Sequence, residues 1–298
     1  MNFFDFGEVI TSDTEFVIFG IPWDYFTSIN ISNSASAPEK LREVSQHLAL
    51  TTEQGVKIPD LKVIDLGDII IKSEKIDENL KAIQKYIENI YNQKENVVLI
   101  MIGGDHFCSY PVIKACGNRF KQKNSFGVII FDAHLDFYQE FDNNIYSHAA
   151  VSHRIYDLEF INPHNFLIVG TRDIDIPERE LAQQEKITYF NAYESIESLN
   201  DYINSIISFF QKSKIENLYL SIDIDVLDPS IAPATGYAIP GGFSYRDLWR
   251  MLKKLSQNFN IIGFDVVEVS PNLDLPNNIT CNLAAKLIIE LISFISNK

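Results

Sequence analysis

Short apolar runs alternate along nearly the whole chain with longer stretches in which apolar positions recur every three or four residues. Runs of four to eight residues rich in β-branched and aromatic side chains, closed by turn residues, predict strands. They fall at residues 15–20, 61–66, 96–102, 126–131, 166–169, 187–190, 218–224 and 261–267. Helices are predicted at 38–50, 73–93, 107–116, 178–184, 193–213, 244–255 and 279–296. Within the second of these, Ile76, Leu80, Ile83, Ile87 and Ile90 form one apolar stripe. The run at 96–102 has no polar face, which suits a strand covered by helices on both sides. About eight strands alternating with helices predict an α/β fold on a mostly parallel sheet. No linker, repeat or low-complexity tract interrupts residues 1–298, so a single domain is expected.

In open parallel sheets ligands bind beyond the carboxyl ends of the strands, so the residues just after each strand carry the functional information. The fourth run leads into Asp132, Ala133, His134, Leu135 and Asp136. If the extended chain continues, the period of two points Asp132, His134 and Asp136 the same way. Two carboxylates and an imidazole converging at a buried strand end need either hydrogen-bond partners or a divalent cation to neutralise them. Three other strand ends carry similar groups. GGDH at 103–106 presents His106 after two glycines, SIDIDVLDP at 221–229 holds Asp223 and Asp225 two apart, and EVSP at 268–271 begins with Glu268. Each has a structural explanation alone; their joint placement, in a chain with six histidines, points to a metal site.

GGDH at 103–106, DAHLD at 132–136, SHAAV at 147–151, SIDIDVLDP at 221–229 and EVSP at 268–271 together resemble the ordered signature of the ureohydrolases, the arginase and agmatinase superfamily. The resemblance runs from GIPWDYFTS at 20–28 through the last helix. It implies a three-layer α/β/α fold around an eight-stranded parallel sheet and a centre of two Mn²⁺ ions. One ion would be held by His106, Asp132, Asp136 and Asp223, the other by Asp132, His134, Asp223 and Asp225, with Asp132 and Asp223 bridging. Oxygen-rich ligands with one imidazole per ion suit Mn²⁺, although zinc and iron accept the same ligand types. Attack of a metal-bridging hydroxide on a guanidinium carbon is the implied reaction.

The resemblance also assigns Glu268 to pairing with the guanidinium, Asp136 to proton transfer to the departing amine and His148 to proton shuttling, with His153 a rival for the last role. Thr235 and Gly236, with Gly241 and Gly242, resemble a loop that shapes the pocket. SHAAVSHRI at 147–155 is more similar to agmatinases than to arginases. Tyr138 stands where arginases place an asparagine that helps read an α-carboxylate, and Asn144 lies in the same loop. Asp175 resembles an arginase residue near the α-amino group, and could equally receive the distal amine of agmatine. The segment 29–37 departs from the family's glycine-rich run. Agmatinase is therefore the expected activity. The alternatives are arginase, another guanidino-acid hydrolase such as guanidinobutyrase, or a catalytically silent metal-binding subunit. Homotrimers or homohexamers are common in the family.

Composition changes this picture little. A net charge of -15 disfavours nucleic acid and anionic membranes as partners and weakly favours a small cation. Cys108, Cys116 and Cys281 lack any CxxC spacing, which suggests neither a disulfide framework nor a thiolate zinc site. No stretch reaches about 18 uninterrupted apolar residues, and the start lacks a signal-peptide pattern, so a soluble cytoplasmic protein is expected.

Overall fold

The computed structural model describes residues 1–25, 32–57, 62–72, 75–120 and 125–297. Each predicted strand is present, shifted by at most two residues: β1 (Phe16–Ile21), β2 (Val63–Asp68), β3 (Val98–Gly103), β4 (Phe126–Phe131), β5 (Phe166–Thr171), β6 (Thr188–Asn191), β7 (Asn217–Asp223) and β8 (Asn260–Val267). They form one sheet in the order β2-β1-β3-β8-β7-β4-β5-β6, parallel throughout. The helices are α1 (Ala37–Ser45), α2 (Ile76–Gln93), α3 (Ser109–Phe120), α4 (Val151–Tyr156), α5 (Ile176–Gln184), α6 (Leu199–Lys212), α7 (Tyr245–Asn258) and α8 (Ile279–Ser296).

Alternation along the strands divides the core in two. Ile129 and Phe131 of β4 belong to the core layer that includes α1, α6, α7 and α8, while Val128 and Ile130 belong to the layer that includes α2 to α5. With both faces apolar the strands are buried on both sides, which makes the three-layer α/β/α arrangement. Among the described residues α8 has the length and hydropathy of a membrane span, yet 67% of it is buried inside the protein. Glu290 in that helix is buried and accepts hydrogen bonds from the Glu53 amide (2.7 Å) and Trp249 Nε1 (3.2 Å). All three cysteines are unbonded and buried.

Helix boundaries depart from the sequence pattern for local reasons. A capping box between Asn191 and Glu194 starts a separate 3₁₀ turn, Ala192–Ser195, so α6 begins only at Leu199 behind its own cap, Ser198. Asp105 caps a 3₁₀ turn, His106–Cys108, that delays α3 to Ser109. Helix α1 ends at Ser45, five residues before the predicted end. The unanticipated α4 has six residues, too few for a 3.6-residue period to show. Residues 26–31, which include the first three of the departing segment 29–37, lie outside the described residues, as do Leu61, the first predicted residue of β2, and Ser73 and Glu74, the first two of predicted α2.

Candidate metal centre and substrate cavity

Strands β3, β8, β7 and β4 are neighbours at the centre of the sheet, and their carboxyl ends supply His106, Glu268, Asp223 and Asp132. The chain crosses from β3 to β4 over the places that β8 and β7 fill much later in the sequence. This reversal opens the crevice in which such sheets bind ligands.

Each group is aimed by its own backbone. Gly104 passes so close to Trp23 that a Cβ there would lie 1.9 Å from the Trp23 carbonyl oxygen, so only glycine fits. The Asp105 amide donates to that same oxygen at 2.6 Å, which turns His106 inward. The Glu268 amide donates to the Gly104 oxygen (2.8 Å) and the Glu268 carboxylate accepts the His106 amide (2.7 Å), tying the β3 and β8 ends together.

Asp132, His134 and Asp136 do converge, but the expected strand alternation is not the reason. β4 stops at Phe131, and the following residues form a loop. The His134 amide donates to Asp132 Oδ1 (2.7 Å) and the Ala133 amide to Asp225 Oδ1 (2.9 Å). Asp136 reaches the centre through a left-handed backbone, φ 48°, and Glu268 does so at φ 61°. Neither is a glycine, so both hold strained conformations of a kind that clusters at functional sites.

The side chains form two groups. His106 Nδ1 lies 3.0 Å from Asp132 Oδ2, 3.2 Å from Asp223 Oδ2 and 3.3 Å from Asp136 Oδ2. His134 Nδ1 lies 3.0 Å from Asp225 Oδ2 and 3.3 Å from Asp132 Oδ1. Asp132 thus presents one oxygen to each group. Asp223 Oδ2 faces His106, and its Oδ1 accepts the Asp225 amide at 2.8 Å, just as Asp132 Oδ1 accepts the His134 amide. These groups, His106–Asp132–Asp136 and Asp132–His134–Asp225, have the spacing of metal ligands.

The donor set fits divalent cations. His106 Nε2 lies 3.1 Å from Ser221 Oγ, whose hydroxyl donates to the buried Asp265 (2.8 Å), which also accepts the Tyr219 hydroxyl (2.8 Å). Ser221 can therefore accept Nε2–H, which leaves the Nδ1 lone pair facing the carboxylates. His106 Nδ1 and Asp132 Oδ2 are buried without a hydrogen bond. Burial opposes charge on both imidazoles, but the surrounding carboxylates outweigh it and raise both pKa values. Burial, with Asp132 close by, pushes Asp136 up to about 6.

Above these groups lies a cavity of about 320 Å³. Among the described residues seven carboxylates line it, those of Asp136, Asp173, Asp175, Glu178, Asp223, Asp225 and Glu268, with His134, His148, Tyr138, Phe141, Thr235 and Tyr237 and no lysine or arginine. His148 Nδ1 lies 3.3 Å from Glu268 Oε1. Burial opposes its charge, but Glu268 prevails and pushes the pKa up to about 9. The Tyr138 hydroxyl donates to Asp175, which also caps α5.

Other predicted residues lie elsewhere. Asn144 is absent from the cavity wall, and its side chain accepts the Tyr146 amide at 2.9 Å. His153 packs its ring 5.0 Å from Phe137 and is not part of the wall. Gly241 and Gly242 line a neighbouring hollow beside Arg172 rather than the cavity. His47 and His164 are exposed.

The sequence reading passed over Glu178, Tyr237, Ser221 and Asp265. Glu178 is buried, accepts the Phe137 amide (2.8 Å) and is pushed up to about 8 by burial and Asp136. Asp265 was detectable as a lone carboxylate within an apolar strand. Nothing local marked the other three.

A family model described as "Arginase family" matches residues 14–293. An agmatinase from Blochmanniella floridana is 34% identical over 290 residues, covering 95% of this chain and 88% of that protein. A mitochondrial arginase from Medicago truncatula is 31% identical, covering 92% and 80%. The crystal structure of an agmatine ureohydrolase from Thermoplasma volcanium superimposes with a TM-score of 0.83 at 27% identity, covering 97% and 92% of the two chains. A three-layer α/β/α protein with aspartates and histidines clustered in metal-ligand spacing at its central strand ends is the class that fold and site define. The chain belongs to the arginase, or ureohydrolase, family.

Proposed function

We propose that the protein is an Mn²⁺-dependent agmatinase, cleaving agmatine to putrescine and urea. The observation that carries this reading is the cavity wall, which among the described residues has seven carboxylates, one of them hydrogen-bonded to Tyr138, and no lysine or arginine. Agmatine is positive at both ends. Arginine and guanidinobutyrate carry a carboxylate that this wall would repel without a basic partner.

His106, Asp132, Asp136 and Asp223 would hold one ion, and Asp132, His134, Asp223 and Asp225 the other. Two divalent ions there would lower the pKa of a water toward neutrality, supplying a nucleophile at physiological pH. The chain's own groups do the rest. Glu268 pairs with the guanidinium and fixes its carbon over the centre. Asp136 carries a proton to the departing amine as the carbon–nitrogen bond breaks. His148 exchanges protons between the cavity and solvent, and Asp175 receives the distal ammonium.

The test is urea release by Mn²⁺-loaded protein from agmatine, arginine, guanidinobutyrate and guanidinopropionate. Agmatine should have the highest kcat/KM. A higher value for arginine would replace this reading with arginase, and no urea from any of them would favour a silent metal-binding subunit.

A further inference from the structure

Among the described wall residues Tyr237 is the one whose ring meets both His134 of the centre and His148 beside it. Its centroid lies 5.9 Å from that of His134, edge-on at 73°, and 6.4 Å from that of His148, tilted by 33°. Despite these contacts it is 40% exposed, and no hydrogen bond ties its hydroxyl to the described residues. The loop that carries it is pinned on both sides. Before it, the Ala234 amide donates to Thr280 Oγ1 (3.1 Å) and the Ala234 oxygen accepts the Ser270 amide (2.8 Å). After it, the Ile239 oxygen accepts from Arg172 Nη2 (2.8 Å) and the Gly241 amide donates to Asp228 Oδ2 (2.8 Å). Gly236, Tyr237 and Ala238 make no backbone hydrogen bonds among the described residues. An aromatic ring is thus held over the reacting end of the cavity on a short span fixed at both ends.

We propose that Tyr237 roofs the reacting group, its ring face stacking on a planar guanidinium whose edge pairs with Glu268, and so determines specificity for that group. The inference rests on the guanidinium reading above. Glu268 alone would attract any cation. A flat aromatic face beside it selects a flat, weakly hydrated one over a tetrahedral ammonium. The ring also displaces water from the space over the reacting carbon.

Three variants separate the ring from its hydroxyl and its bulk. Tyr237→Phe keeps the face and should stay within about 3-fold of the parent in KM. Tyr237→Leu keeps comparable bulk without a π face, and with Tyr237→Ala should raise KM about 5- to 30-fold, with kcat changing less than KM. Direct binding of guanidinium chloride, measured by calorimetry on the Mn²⁺-loaded protein, needs no turnover. Its affinity should fall by the same factor in the Leu variant, while methylammonium binding changes little. That arm stands even if agmatine proves not to be the substrate, so failure of the substrate reading and failure of the roof are distinguishable. Equal guanidinium affinity in parent and Leu variant overturns the proposal. A Phe variant as weak as the Ala variant also overturns it, since the hydroxyl rather than the face would then be acting. Mn²⁺ content per chain, measured on every variant, shows that the centre is retained.

Discussion

The two ends of the cavity are built differently. At the deep end, His106, Asp132, Asp223 and Glu268 are buried side chains on the ends of four adjacent central strands, cross-tied by backbone amides. At the mouth, Tyr138, Phe141, Asp173 and Asp175 sit on loops, and Asp173 and Asp175 are exposed. A rigid sheet holds ligands to the tolerance that coordination and proton transfer demand, whereas loops can change without disturbing it. The deep end should therefore govern whether chemistry occurs, and the mouth which molecule undergoes it.

The largest effect should come from Asp132, which faces both histidines. Asp132→Ala should empty both metal positions and lower turnover by more than about 10³-fold; two tightly held ions per chain, counted by atomic emission, would contradict its bridging place. Glu268→Gln should cost about 10²- to 10³-fold in kcat/KM through the lost charged hydrogen bond. Unchanged kcat/KM with agmatine would remove Glu268 from guanidinium recognition.

The ion-free protein should also show the strain of its deep end as a pH dependence. Asp136 rises from 3.8 to about 6, Glu178 from 4.5 to about 8 and His148 from 6.5 to about 9, so the folded state binds more protons than the unfolded chain. The carboxyls favour folding while protonated and cost stability as pH climbs past their unfolded values, until it reaches their folded ones. His148 contributes fully below 6.5 and loses that contribution as pH passes about 9. Tm should therefore fall between about pH 5 and 9. Divalent ions should replace the protons and flatten the slope, releasing protons measurable by calorimetry in two buffers. A Tm that rises with pH in ion-free protein would refute this.

Substitutions at the mouth should be milder and fall on KM. Asp175→Asn should raise KM for agmatine about 10-fold, with kcat nearly unchanged. An equal loss in kcat would mean that the mouth also positions the reacting end. Tyr138→Phe, which removes only the hydroxyl resting on Asp175, should change KM about 2- to 3-fold. A loss above that of Asp175→Asn would make Tyr138 the primary contact.

The same contrast governs what was legible. Deep-end residues announced themselves because carboxylates and histidines are rare directly after buried apolar runs, and the runs themselves are local patterns. The mouth did not. Asn144 shares its loop with Tyr138, yet a turn closed on the Tyr146 amide takes its side chain away from the cavity. Glu178 looked like an ordinary charge at the start of a helix, and only the Phe137 amide, 41 positions away, reveals it as buried wall. Tyr237 lies in a loop without periodicity, where no pattern relates it to His134 or His148.

By itself the sequence determined the strands, the longer helices and the chemistry at the strand ends, because these follow from periods of two and 3.6 and from residue type, whereas α4 was too short to show a period. Only the tertiary structure decided which groups share a position. Placing β8 and β7 between β3 and β4 brings His106 to Asp223 and Glu268, residues more than a hundred positions later in the chain. It also decided that Asp136 turns inward through a left-handed backbone and that Tyr237 comes to lie over the histidines. Such contacts depend on strand order and loop path, and short-range periodicity carries no information about either.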